Sequence, residues 1–185
     1  MTTITLTKDQ QSAMDAFIQF LTDPIETVFV LSGYSGTGKS SLVKVLLDKL
    51  PSITKTIKLV DPKYKNYEVE LTATTNKAAE SLSYLTGAGV RTIHSYLGLR
   101  VETDHKNKVT KLVPSKLDPK TNTLIFIDEA SYIDNELLGL IFKLTKDCKI
   151  VFMGDPAQLT PVKSKGTPVF DANLSCSSGR RTPYY

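Results

Sequence analysis

The sequence predicts an α/β domain: an open, mostly parallel, doubly wound sheet carrying a small inserted β-hairpin. Three observations carry that reading. Short, nearly all-apolar runs rich in β-branched residues recur at 27–31 (TVFVL), 123–127 (TLIFI) and 149–153 (KIVFM), as expected of strands covered on both faces. Segments with helical apolar spacing alternate with them, which calls for crossover helices. A glycine-rich stretch at 33–38 follows the first of these strands and opens a helix.

Each element follows in order. Thr7 reads as a cap for an amphipathic helix in which Met14, Phe17, Ile18 and Leu21 recur at helical spacing, ended by Asp23-Pro24. After the strand at 27–31 and the glycine loop, Val43, Leu46, Leu47 and Leu50 mark a second helix that Pro51 is expected to stop. Residues 53–60 and 67–74 read as strands joined by a polar turn at 61–66. Residues 76–85 read as a helix with Gly87 and Gly89 past its end, and 92–97 as a short helical turn. Runs 99–103 and 109–113 flank Asp104-His105-Lys106-Asn107-Lys108 in the manner of a hairpin. Beyond the strand at 123–127, Asp134 caps a helix whose apolar face is Leu137, Leu138, Ile141 and Leu144. The strand at 149–153 follows, periodicity fades from Pro161, and 171–185 is expected to be a loose tail.

Composition narrows the class without choosing a function. The chain has 185 residues, 41% hydrophobic and 23% charged, enough for one domain with a real core. No apolar run approaches the ~20 residues of a membrane span, and the first residues lack a basic segment followed by an apolar one, so neither a membrane partner nor a secretory leader is expected. Cys148 and Cys176 have no metal-ligand spacing, which fits a reduced, cytoplasmic setting with Cys148 as filler beside a buried strand. The net charge of +4 mildly favours a polyanionic partner.

The chemistry starts at Gly33-Tyr34-Ser35-Gly36-Thr37-Gly38-Lys39-Ser40, a complete G-x-x-x-x-G-K-[ST] phosphate loop between a strand and a helix. Gly33, Ser35, Gly36, Thr37 and Gly38 let backbone N–H groups close around phosphate oxygens, and the helix that continues through Ser41 adds the positive end of its dipole. Lys39 reaches the β- and γ-phosphates, and Ser40 is placed to ligate Mg²⁺. The strand at 123–127 ends in Asp128-Glu129, where ligands of doubly wound sheets sit. Asp128 is suited to hold Mg²⁺ through water and Glu129 to deprotonate an attacking water. Beyond the last strand lies Gly154-Asp155-Pro156-Ala157-Gln158-Leu159-Thr160-Pro161-Val162. It is a turn by composition, and it also carries the Gln158 amide to where a γ-phosphate would lie.

Phosphate loop, Asp-Glu-Ala and Gly-Asp-Pro-Ala-Gln-Leu-x-Pro-Val together resemble helicase superfamily 1, and more closely its RecD-like and phage Dda-type members. Leu6-Thr7-Lys8-Asp9-Gln10 looks like that family's N-terminal glutamine motif, in which Gln10 would read the adenine edge. Thr7 and Gln10 equally spell a capping box. Thr72-Ala73-Thr74-Thr75-Asn76-Lys77-Ala78-Ala79 looks like motif Ia, and Thr92-Ile93-His94-Ser95 like the family's T-I-H-S segment. The resemblance puts Thr74, Asn76, Thr92 and His94 beside single-stranded DNA. The hairpin sits where relatives insert a duplex-splitting pin, with His105 and Lys106 at its tip. Residues 100–120 hold six Lys/Arg against three Asp/Glu, which suits a phosphate-facing surface as well as a solvated hairpin.

What the resemblance implies is a RecA-like motor domain over 1–170, including the hairpin at 98–116, that binds ATP with Mg²⁺. Its activity would be DNA-stimulated ATP hydrolysis and 5′-to-3′ unwinding, with Lys39, Glu129 and Gln158 as the catalytic groups. Such motors set a second RecA-like domain against the first. No second domain is expected within these residues, so a further domain or partner chain is the implied complement. A bacterial host carrying a phage gene is one source the likeness allows. The alternatives are a non-enzymatic module that binds ATP or single-stranded DNA beside a partner chain, and a P-loop kinase, against which the Gly-Asp-Pro-Ala-Gln-Leu string argues.

Overall fold

The computed structural model describes residues 6–34, 36–104, 109–115, 118–158, 168–170 and 183–184. Ser35, His105, Lys106, the stretch from Leu159 to Val162 and most of the expected tail lie outside them. Helix α1 (Lys8–Thr22) opens with the predicted capping box: Thr7 Oγ1 accepts from Gln10 N, and Gln10 Oε1 accepts from Thr7 N. Its buried face, Met14, Phe17, Phe20 and Leu21, lies against strand β1 (Val28–Ser32) and helix α2 (Lys39–Val60).

Helix α2 overturns one expectation. Pro51 does not end it, and residues 53–60 are helix rather than strand. Leu46, Leu50, Ile53 and Ile57 fall at spacings of four, three and four, one continuous face that packs into the core with α1. Burial of that face outweighs both the lost Pro51 hydrogen bond and the low helix propensity of the β-branched residues after it. Hydroxyls bond back to the helix around the break: Thr54 Oγ1 donates to Leu50 O at 2.9 Å and Ser52 Oγ to Lys49 O at 2.8 Å.

Then follow β2 (Glu68–Ala73), α3 (Asn76–Thr86), β3 (Arg91–Thr92) and the single-turn α4 (Ile93–Tyr96). The hairpin is β4 (Leu99–Asp104) and β5 (Val109–Pro114), antiparallel in register from Leu99 opposite Pro114 to Asp104 opposite Val109. Its base is closed by Ser115 N donating to Gly98 O at 2.8 Å. After β6 (Lys120–Thr121) and β7 (Thr123–Asp128) come a 3₁₀ turn (Ala130–Tyr132), α5 (Asn135–Leu144), β8 (Thr145–Lys146), β9 (Lys149–Gly154) and β10 (Pro183–Tyr184). As predicted, Asp134 caps α5. The side chain of Glu136, in the first turn of α5, accepts from Leu112 N at 3.0 Å and ties the hairpin to the body.

The main sheet runs β10-β1-β9-β7-β2-β3, and every pairing in it is parallel. Strand residues alternate between two cores. Phe29, Leu31, Leu71, Leu124, Phe126, Val151 and Met153 face α1 and α2, while Val28, Val30, Ile125, Ile127, Ile150 and Phe152 face α4 and α5. The doubly wound reading therefore holds. Pro183–Tyr184 departs from the expected loose tail: it pairs with Val30 and Leu31 and gives β1 a second hydrogen-bonded neighbour. Proline is tolerated there because an edge strand needs no inward donor from its first residue. Among the described residues no helix is long and apolar enough to cross a membrane.

Candidate active site

The register levels the strand ends. Ser32 is opposite Gly154, and Ala73 is opposite both Asp128 and Thr92. The phosphate loop, the Asp128-Glu129 pair, the Thr74-Thr75 segment and the turn after Gly154 all leave the sheet along this one edge. At β1 the chain turns into the phosphate loop, pinned by Gly33 N donating to Gly154 O and by Thr37 N and Oγ1 donating to Tyr34 O. Gly38 takes φ +84°, a left-handed conformation that favours glycine, and lies close under the Gln10 side chain. As the cap of α2, Gly38 offers no side-chain acceptor. The first N–H groups of α2 are thus left to whatever anion the loop holds.

Lys39 Nζ donates to Gly33 O at 2.6 Å and Tyr34 O at 2.8 Å. Burial lowers its affinity for a proton, while Asp155 and then Asp128 pull the other way. Asp128 is pushed up by burial, restrained by its hydrogen bond from Glu129 N. A hollow of about 290 Å³ gathers Gly36, Gly38, Lys39, Ser40 and Ser41 with Asp128, Glu129, Asp155 and Gln158. Volume alone does not mark it: a hollow of about 610 Å³ between α2, β2 and the end of α3 contains none of the motif residues.

The far wall is fixed by close packing. A Cβ at Gly154 would sit 2.9 Å from the Phe170 ring and 3.2 Å from Ala130 N, so β9 can approach the 3₁₀ turn only with glycine there. Across that contact Ser131 Oγ donates to Gln158 Oε1 at 2.9 Å, which leaves the NH₂ group as the donor Gln158 can offer. The donor set suits a small hard cation beside a polyphosphate. Among the described residues no cluster of three or more His, Cys, Asp or Glu forms a metal cage. Ser40, Asp128 and Asp155 around one hollow are what Mg²⁺ shared with phosphate oxygens requires. Asp155 was not singled out in the sequence, although it follows a buried strand just as Asp128 ends one.

Gln10 fulfils the capping-box reading of its motif and also reaches the phosphate loop. Its Oε1 serves the capping box and its Nε2 lies 3.5 Å from Thr37 O, over the loop. On the other half of the edge, Thr74 Oγ1 donates to Glu129 O at 3.0 Å and Thr74 N to Asp128 O at 3.1 Å. Thr92 Oγ1 caps α4 by accepting from Ser95 N. Asn76 is exposed at the start of α3. His94 is half-buried, its imidazolium disfavoured by burial and favoured by Asp134. Sequence reasoning missed the bond from Thr75 Oγ1 to Glu129 Oε2, 3.1 Å long, because nothing local signals a contact between residues so far apart in the chain.

Comparison with known proteins gives the family and supports the fold. Residues 5–174 match the AAA domain family. The ATP-dependent RecD2 DNA helicase of Deinococcus radiodurans is 29% identical over 181 residues, covering 97% of this chain and 22% of that protein. The ATP-dependent DNA helicase dda of Enterobacteria phage T4 is 29% identical over 166 residues, covering 88% of this chain and 34% of that protein. The chain thus spans about a fifth to a third of the length of these relatives. A solved structure of DNA unwinding at forked duplexes by two coordinating Pif1 helicases shares the fold at a TM-score of 0.55. The identity is 19%, over 98% of this chain and 44% of that one. The likeness to RecD-like and Dda-type helicases read from the motifs is borne out.

Proposed function

The chain belongs to the AAA domain family, and from that premise we propose that it is the ATP-hydrolysing motor domain of a DNA helicase that moves 5′ to 3′ on single-stranded DNA. One observation carries the reading: a phosphate loop, two strand-end acids and a Gln158 amide line a single hollow. Phosphates lie against the N–H groups of the loop and the start of α2, and Lys39 swings from the loop carbonyls to the β- and γ-oxygens. Ser40 and Asp128 hold Mg²⁺, which offsets phosphate charge. Glu129 takes the proton of the attacking water. Gln158 donates to the γ-phosphate and, through Ser131, relays its loss. Gln10 Nε2 faces the base.

Single-stranded DNA crosses the ends of β2 and β3, meeting Thr74, Asn76, Thr92 and His94. The hairpin, with His105 and Lys106, acts as the pin at the fork. Thr74 and Thr92 already use their hydroxyls internally, so Asn76 and His94 are the side chains with most to offer the strand. A second RecA-like domain, in the same protein or a partner, closes over the nucleotide and supplies cationic fingers.

The test is single-turnover hydrolysis of labelled ATP with and without oligo(dT), together with binding of a fluorescent ATP analogue. Expected are binding lost in Lys39→Ala and DNA-stimulated hydrolysis lost in Glu129→Gln with binding kept. Lys39-dependent binding with negligible turnover would mean a half-motor awaiting its second domain, and nucleotide binding that survives Lys39→Ala would overturn this reading.

A further inference from the structure

Gly154 is where three parts of the site touch. Its carbonyl accepts from Gly33 N at 3.2 Å, which fastens the root of the phosphate loop to the end of β9. Its Cα packs on the turn after the acid pair, so closely that a Cβ would lie 3.2 Å from Ala130 N and 3.3 Å from Ser131 N. The chain then runs on through Asp155 to Gln158, whose Oε1 accepts from Ser131 Oγ. A shift of Gly154 therefore moves the loop, the turn and the amide relative to one another.

One side chain from outside the hollow bears on that junction. Phe170 does not line the hollow, yet Cζ at the far end of its ring would lie 2.9 Å from a Cβ on Gly154. The ring is backed by the core. Val169 is buried in the cluster that holds Ile127, Ala130, Ile133 and Phe152, and Phe170 packs against the same cluster. Interiors this close-packed respond to a change of a single methylene. The reach of the side chain at 170 thus sets where Gly154 rests.

We propose that Phe170 is a positioning residue whose ring sets the spacing between the phosphate loop and the Gln158 turn at the distance a γ-phosphate fills. This rests on the reading of Gln158 as the γ-phosphate donor. A diphosphate occupies the loop side alone and is indifferent to that spacing. A triphosphate has to meet both walls at once. Phe170 therefore acts on the choice between ATP and ADP rather than on nucleotide binding as such.

Three substitutions vary the reach at 170. Phe170→Leu stays apolar but stops short of Gly154. Phe170→Tyr keeps the ring and adds an oxygen on the carbon that abuts Gly154, an overpacked contact. Phe170→Met is unbranched, reaches about as far as the ring and adapts to the gap. Affinities for ADP and for a non-hydrolysable ATP analogue, both with Mg²⁺, are measured by titration calorimetry. Urea denaturation midpoints are taken alongside, and Gln158→Ala serves as the reference. Phe170→Leu and Phe170→Tyr should each weaken the triphosphate about tenfold more than ADP, the worth of one hydrogen bond to a charged group. Gln158→Ala should do the same, and Phe170→Met should keep the parent ratio. Losses equal for the two nucleotides, or losses that follow the denaturation midpoints instead of reach, overturn the inference and leave Phe170 as packing alone. A ratio that falls in Gln158→Ala but holds in Phe170→Leu and Phe170→Tyr also overturns it, with the reading of Gln158 intact. A ratio unchanged in Gln158→Ala removes that reading and the inference with it.

Discussion

The two halves of the strand-end edge use their polar groups in opposite ways. Under β1 and β9, the phosphate loop, Lys39, Ser40, Asp155 and Gln158 line a shared hollow, with Lys39 Nζ resting on the carbonyls of Gly33 and Tyr34. Past β2 and β3, the hydroxyls of Thr74, Thr75 and Thr92 turn inward, to Glu129 or to helix caps. One half is built to surround a small anion, and backbone does most of that work. The other is built to hold neighbouring elements in register and presents Asn76, Lys77, Ser95 and part of His94 outward. A phosphate needs fixed donors on all sides. A polymer lying across an edge needs a surface whose elements can shift together.

The contrast is broken most directly at its border. Glu129→Gln should slow single-turnover hydrolysis by about 10²–10⁴-fold, the usual worth of a general base, with nucleotide affinity intact. A loss of affinity instead would make Glu129 a binding group of the first half. Next in size is the support beneath the loop. Phe17, fully buried, meets the rings of Phe20, Phe29 and Phe126 at 5.7–6.1 Å. Phe17→Ala should cost about 3–5 kcal/mol in urea denaturation, as other buried aromatic truncations do.

A third effect is tuned by pH. Lys149 is buried at the start of β9, where its ammonium donates to Phe20 O, Asp23 O and Glu26 O at 2.7, 2.8 and 2.7 Å. Burial brings its pKa down to about 8, against opposing pulls from Asp23 and Glu26. An unfolded lysine titrates near 10.5, so between those values the unfolded chain holds more protons and stability rises with pH. Lys149→Met should flatten that part of the profile, measured as denaturation midpoints from pH 7.5 to 10.5. The smallest effect belongs to the outward-facing edge. Asn76→Ala should weaken oligo(dT) binding about fivefold at fixed salt, one hydrogen bond's worth, with nucleotide affinity unchanged. Equal losses of both affinities would erase the distinction between the halves.

Legibility in the sequence follows the same division. The phosphate loop and the acid pair could be read because each is a run of adjacent residues whose spacing is itself the geometry. The capping box at Thr7 and the Asp134 cap were legible for the same reason. Pro51 misled because a local breaker was outvoted by an apolar face spread over about three turns, and that vote is counted only when α1 packs against it. The strand at Pro183–Tyr184 could not be foreseen from two residues whose role depends on the open side of β1. Thr75, Ser131 and Asp155 carry no spacing signal, since their partners arrive from other strands.

Level strand ends also set a length scale. Neighbouring strands in a sheet lie about 4.8 Å apart, so the edge from β1 through β9, β7 and β2 to β3 measures about 19 Å. β7 stands at its midpoint, about 10 Å from either end, and Glu129 is the residue that follows β7. A displacement entering at β3 and one entering at β1 therefore reach the same carboxylate after the same two strand widths. The sheet is a balance beam with its pivot at the base.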